Sequence, residues 1–182
     1  DTANFGRVTQ IQVVDGIPGL DRAMEIAASS DASDTAGSRH FYVTGHTADS
    51  LLVFDRNVEL ASDDFGQLTL VQSFQDGIDG VDGLNGARAV AVSPDGKNVY
   101  VAAEDDDAVA VFARDAATGA LTFVEAEIDG AGGADGLAGA SGVAVSPDGE
   151  HVYVSGETDS AIAVLARNPV SGALTPLPAG FD

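Results

Sequence analysis

The sequence predicts an all-β chain, a β-propeller segment of about three four-stranded antiparallel blades plus one extra strand. The ring it forms is partial, or is completed by association. Three observations lead there. Residues 86–101 and 139–154 nearly superimpose at an offset of 53, and the offset carries Thr118-Gly119-Ala120-Leu121-Thr122 onto Ser171-Gly172-Ala173-Leu174-Thr175. Short runs rich in β-branched residues follow one another with no helical period. Turn signals separate them, above all Ser93-Pro94-Asp95-Gly96, where Pro presets φ and Gly accepts a left-handed conformation. A four-stranded unit recurring every ~40–50 residues is the mark of a propeller blade.

Each strand can be placed in order. Arg7 to Val14 is a lone fourth-type strand. The first unit then has a long, Ser/Asp-rich connection from Ser29 to Arg39 where later units have Ser-Pro-Asp-Gly. In the second unit, Ala89 to Ser93, Asn98 to Ala103, Ala108 to Phe112 and Leu121 to Ala126 read as four strands. The small residues Ala89, Ala91, Ala102, Ala103 and Ala110 suit sheets packed face to face around a narrow channel. The chain 1–182 is thus one propeller segment, with repeat units near 5–64, 65–117 and 118–170 and a final strand in 171–182. Three blades should not close a ring, since four to eight is typical. Open ends would expose strand edges and apolar faces, so further blades or a second copy is expected to cover them.

Composition narrows the function. There are 29 Asp and Glu against 8 Lys and Arg, giving a net charge of −21. Such a chain repels phosphate backbones and anionic lipid, which argues against nucleic-acid and membrane partners. The charge suits a saline, extracellular setting or divalent cations. The absence of Cys excludes a disulfide framework and Cys-ligated metal. No run approaches the ~18 apolar residues of a membrane span. No signal peptide begins at Asp1, so the expectation is a processed or longer precursor.

Tyr42-Val43-Thr44-Gly45, Tyr100-Val101-Ala102-Ala103 and Tyr153-Val154-Ser155-Gly156 each fall in a second strand, and Val-Ala-Val-Ser-Pro-Asp-Gly precedes two of them. On these motifs the sequence resembles the lactonase-like, YVTN-repeat β-propeller superfamily. Its linkers at 80–87 and 133–140 resemble tandem blades of large secreted bacterial surface proteins, often marine. The resemblance implies the fold. It leaves function open between enzymes, surface-layer proteins and surface modules. The superfamily's enzymes use a His, Arg and acidic cluster at the ring's mouth. Here His40 and His151 lie in or just before second strands and His46 opens a turn, with no such cluster near them in sequence. No catalytic residue is therefore predicted.

Two residue series stand out. Asp76, Asp79 and Asp82, then Asp129 and Asp135, lie in Gly-rich connections between units, with acidic pairs six apart. Ca²⁺ takes several carboxylate and carbonyl oxygens on tight turns, so these are the metal candidates. Asp capping of turns accounts for the same pattern without a metal. No cofactor is predicted, and calcium is the one ion these loops suit. A second acidic series sits in the turns after the second strands: Asp49, Glu104 to Asp107, Glu157 and Asp159. Arg56, Arg114 and Arg167 each follow the Tyr of their unit (Tyr42, Tyr100, Tyr153) by 14 residues, which predicts a structural pairing with an Asp of a neighbouring loop or hairpin.

These readings favour a non-catalytic, secreted bacterial scaffold that self-associates or binds protein or glycan, in a marine or halophilic setting. A lactonase-like hydrolase is the alternative, and a calcium-stabilised adhesion module a third. The first two separate on one criterion: an enzyme should bring non-repeating polar residues together at the channel mouth.

Overall fold

The computed structural model describes residues 12–29 and 39–177. Most of the Arg7–Val14 segment, and the 29–39 connection between its end residues, lie outside them. The described residues form three antiparallel four-stranded sheets. The first holds β1 (Ala23–Ala28), β2 (His40–Gly45), β3 (Ser50–Arg56) and β4 (Leu68–Gln75). The second holds β5 (Ala87–Val92), β6 (Asn98–Ala103), β7 (Ala108–Arg114) and β8 (Leu121–Ile128). The third holds β9 (Ala140–Val145), β10 (His151–Gly156), β11 (Ala161–Arg167) and β12 (Leu174–Pro176). Strands pair in chain order, so each sheet is a meander. The sheets are phased differently from the sequence repeat. The fourth strand of each pairs with the third across a turn, and so falls in what the repeat counts as the start of the next unit.

Burial follows position in the blade. β5 packs against β1 and β9, which makes the first strand of each sheet the innermost. β6 is buried along its whole length, because it is sandwiched between sheets on both faces; hence Val99, Tyr100, Val101 and two alanines in sequence. β4 alternates half-buried and exposed residues, as an outer strand with one wet face does.

Two interlocking cores join the sheets. Tyr42, Leu51 and Val53 of the first sheet meet Leu84, Val99, Val101 and Phe112 of the second. Tyr100, Val109 and Val111 of the second meet Leu137, Val152, Val154 and Leu165 of the third. Phe112 also stacks on Phe74 and Phe123, with ring centroids 5.1 and 5.5 Å away. Burying each such aromatic or branched side chain stabilises by roughly 1.5–3 kcal/mol.

A polar joint completes each boundary. Tyr42 Oη donates to the Gly119 carbonyl at 3.0 Å and accepts from Arg114 Nε. Tyr100 Oη does the same with the Gly172 carbonyl (2.9 Å) and Arg167 Nε (2.8 Å). Arg167 also donates to the Gly149 carbonyl, to Asn98 Oδ1 and to both oxygens of Asp95 at 2.7–2.9 Å. Arg114 donates to the Gly96 carbonyl and to His40 Nδ1. Arg56, Arg114 and Arg167 thus close the ends of the third strands. Arg167 carries the pairing with a neighbouring hairpin Asp, while Arg114 meets His40 across the corresponding boundary.

The glycine in each joint is required twice over. Gly119 and Gly172 have φ of +71° and +82°, and an added Cβ would lie 2.2 Å from the His40 ring and 2.0 Å from Asn98 Nδ2. Gly77 has a similar φ of +70° but open space around it. Backbone strain alone costs roughly 1–2 kcal/mol, and forcing atoms into a packed boundary about 1–3 kcal/mol more. Gly172→Ala should therefore lower the unfolding free energy about twice as much as Gly77→Ala in a denaturant titration. Equal losses would show that the boundary yields freely.

Candidate functional site

The turns after β2, β6 and β10 lie on one rim, together with the connections between sheets. Their first residues are His46, Glu104 and Glu157, at matching positions in the three repeats. Arg88, near the rim end of the innermost strand β5, draws them together. Its Nη1 donates to Glu104 Oε2 at 2.8 Å and to Glu157 Oε2 at 3.0 Å. His46 Nε2 lies 3.4 Å from the same Glu104 oxygen. Thr44 Oγ1 donates to the Arg88 carbonyl, and Glu25 of β1 accepts from the Val90 N–H, which ties the inner strands beside the cluster. Two of these side chains do not repeat from blade to blade: Ser141 stands where Arg88 stands one repeat earlier, and the turn position of His46 is Glu in the other two repeats.

Electrostatics set the charge states. Burial works against ionisation of Glu104, but His46 and the Arg88 guanidinium outweigh it and hold the carboxyl below its ordinary value. Arg88 uses only Nη1 in its two ion pairs. Its Nε–H and Nη2–H₂ have no partner among the described residues, and its side chain is 30 % exposed. The arrangement offers a guanidinium edge open to an oxygen-rich ligand, beside an imidazole that a carboxylate orients.

The metal candidates are also brought together, with additions. Oxygens of Asp76, Asp82 and Asp106 lie within 4.8 Å of one another, as do those of Asp129, Asp135 and Asp159. Asp79 stands apart, at a positive φ of 53°. Asp106 and Asp159 come from the second acidic series. Combining the two series within each repeat unit would have found these triads. Asp76 and Asp129 accept from the N–H groups of Leu84 and Leu137, Asp106 and Asp159 from those of Asn85 and Ala138. Burial, with Asp76 and Asp82 beside it, pushes the Asp106 carboxyl up. Asp49 and Asp107 reach across boundaries to the N–H groups of Gly86 and Gly139. The acidic run therefore does not act as one block. Glu104, Asp106 and Asp107 each turn to a different partner.

Sequence reasoning placed His46, Glu104 and Glu157 in equivalent turns but did not join the histidine to the two carboxylates, and it missed Arg88. Arg88, Glu104 and Glu157 are 42, 58 and 111 residues away from His46. The one usable signal was that the same turn position reads His, Glu, Glu in the three repeats.

Comparisons fit this geometry. The family model described as "Lactonase, 7-bladed beta-propeller" matches residues 2–134. The periplasmic gluconolactonase of Pseudomonas aeruginosa is 28 % identical with a TM-score of 0.69, covering 89 % of this chain and 40 % of its own. Proteins assigned as 6-phosphogluconolactonases from Bacteroides uniformis and Bacteroides fragilis share the fold at 21 % and 22 % identity. Their TM-scores are 0.72 and 0.69, over 92 % and 88 % of this chain and 42 % and 39 % of theirs. The chain thus spans about two fifths of the length of these structures. No curated protein matches.

Two measurements test the rim. Glu104 has a depressed folded pKa, so the stability it contributes is fully present above its ordinary value of 4.5 and is lost as pH falls through the folded value. Glu104→Gln should cost stability at pH 7 and progressively less in denaturant titrations below pH 4.5. A pH-independent cost would mean the carboxylate's charge is not what matters. For the Asp triads, in each of which two carboxylates already serve backbone N–H groups, EDTA should leave Tm unchanged. A fall of several degrees would place a structural divalent cation there.

Proposed function

Because the chain belongs to the seven-bladed lactonase propeller family, we propose that it carries part of the channel-mouth site of a hydrolase acting on sugar-derived lactones. The observation that carries this reading is the convergence of Arg88, Glu104, Glu157 and His46 from three blades. Within it Arg88 and His46 are polar residues that do not repeat, which supports the hydrolase reading over the non-catalytic one. The Pseudomonas gluconolactonase, at 28 % identity, supports the substrate class, and its periplasmic setting supports a site outside the cytoplasm.

Hydrolysis of a lactone needs three things: a base for water, a positive partner for the developing oxyanion, and a proton for the departing ring oxygen. With Nε2–H given to Glu104, His46 keeps a lone pair on Nδ1 to take a proton from water. The water oxygen bonds to the carbonyl carbon, and the unused N–H groups of Arg88 face the negative charge that forms. Collapse breaks the ring C–O bond, and His46 returns the proton to that oxygen. The product is an open-chain hydroxy acid, which releases its carboxyl proton to solvent and leaves a carboxylate against Arg88. Glu104 is a positioning residue that holds both Arg88 and His46.

The test is acid release from glucono-1,5-lactone in a pH-stat at neutral pH, corrected for spontaneous hydrolysis. The chain should exceed the blank. Arg88→Ala and His46→Asn should each lose about tenfold or more, since removing one such group typically costs 10²–10³, in protein that circular dichroism shows still folded. A folded chain no faster than the blank would remove the hydrolase reading for these blades.

A further inference from the structure

We propose that Glu125 is a proton-operated latch between the second and third sheets, holding the next outer strand by one hydrogen bond when ionised and by two when protonated. The outer strands of neighbouring sheets do not pair with each other. A single side chain joins them instead, at the same place in three repeats. Gln12 Oε1 accepts from the Leu68 N–H at 2.7 Å, and its Nε2 donates to the Leu68 carbonyl at 3.1 Å. Gln72 of β4 makes the same pair of bonds with Leu121, at 2.9 and 3.0 Å. A primary amide can do this because it carries an acceptor and a donor side by side, the complement of one residue's N–H and C=O.

At the third position the residue is Glu125 of β8. Its Oε1 accepts from the Leu174 N–H at 2.7 Å, and it makes no bond to the Leu174 carbonyl. Leu68, Leu121 and Leu174 are the first residues of β4, β8 and β12, so the three joints are equivalent. An ionised carboxylate has acceptors only. Its second oxygen therefore stands in the place of the glutamine Nε2 with no hydrogen to offer. Protonation supplies the missing O–H, and the glutamate then matches the glutamines. The joint is shielded from water, since Leu121 and Leu174 are 4 % and 5 % exposed, and there an unmade bond costs more than at the surface.

Like charge stands beside the latch. Glu127 lies two residues along β8 on the same face, and burial together with the Glu125 carboxylate pushes its carboxyl up. A carboxyl raised in this way stabilises the fold in its protonated form. That contribution is present below the ordinary value of 4.5 and is lost as pH rises through the folded value. Arg167 acts the other way through the Tyr100 joint, which feels both it and Glu125, but its guanidinium is already paired with Asp95. β12 brings only Leu174, Thr175 and Pro176, and β7 sets Val111 opposite Glu125, so neither adds a charge. Acid thus tightens this boundary, whereas it loosens the Glu104 contacts at the mouth.

Thermal unfolding of the chain and three single variants at pH 7 and pH 4 tests the latch. Glu125→Gln completes the clamp permanently. It should raise Tm by about 2–4 °C at pH 7, with less than half of that gain left at pH 4. Gln72→Glu builds the latch at the first boundary, where the residue two places on is Phe74 rather than a glutamate. It should lower Tm at pH 7 and recover most of the loss at pH 4, while Gln72→Ala, with neither donor nor acceptor, should stay low at both. A Glu125→Gln gain that is absent at pH 7 or equal at the two pH values overturns the latch. So does a Gln72→Glu chain no more stable than Gln72→Ala at pH 4.

Discussion

Everything in this molecule turns on the tyrosine hydroxyl at each blade boundary. It is the one atom that touches both the arginine and the glycine of the neighbouring blade, donating to a carbonyl and accepting from a guanidinium. Burial pushes the Tyr100 hydroxyl up to about 12, with Arg167 pulling the other way, so it remains a donor at any physiological pH. The arginine needs the tyrosine as much. A buried guanidinium is stable only when its N–H groups are taken up, and the Arg167 side chain is 1 % exposed with acceptors at Nε, Nη1 and Nη2. Burial opposes ionisation of Asp95, but Ser93, Arg167 and the Lys97 N–H hold its carboxyl low, so the pair stays charged. Because the joint fixes one blade against the next, it also fixes where the opposite ends of the strands arrive, which brings His46, Arg88, Glu104 and Glu157 within reach of one another.

That division between rims explains what could be read from the sequence. The fold was legible because its causes are local and repeated: Ser-Pro-Asp-Gly hairpins, β-branched runs, and a tyrosine and an arginine 14 residues apart in every unit. The spacing even pointed to an interblade role for Arg114 and Arg167. It did not reveal that the tyrosine was the shared partner, because Tyr42 and Arg114 are 72 residues apart and belong to different units. The glycines at 119 and 172 looked like ordinary turn residues, yet what excludes a side chain there is the previous blade. The candidate site was hidden for the opposite reason. A repeat search finds what recurs, and Arg88 and His46 stand where the repeat departs from itself. Arg88 interrupts an otherwise apolar inner strand where the next repeat has Ser141, a departure that reads as noise until the neighbouring turns are placed beside it.

The acidity of the chain takes on meaning from the same geometry. Many carboxylates at the mouth-side rim are spent on backbone N–H groups, within blades through Asp76, Asp106, Asp129 and Asp159 and between blades through Asp49 and Asp107. Cations are scarce and unevenly placed: Arg114 and Arg167 are committed to the joints on the far rim, while on this one Arg22 lies beside the His46 turn and Arg88 pairs with the carboxylates. A neutral lactone can approach such a mouth without meeting net repulsion, while Arg88 supplies the local positive charge that an oxyanion needs. In the proposed reaction the hydroxy acid product is an anion inside the field of a molecule of net charge −21, and that field would favour its departure once the ring has opened. A guanidinium among many carboxylates suits the proposed reaction, which creates negative charge from a neutral substrate, because it would stabilise the charge where it forms without retaining the product that carries it.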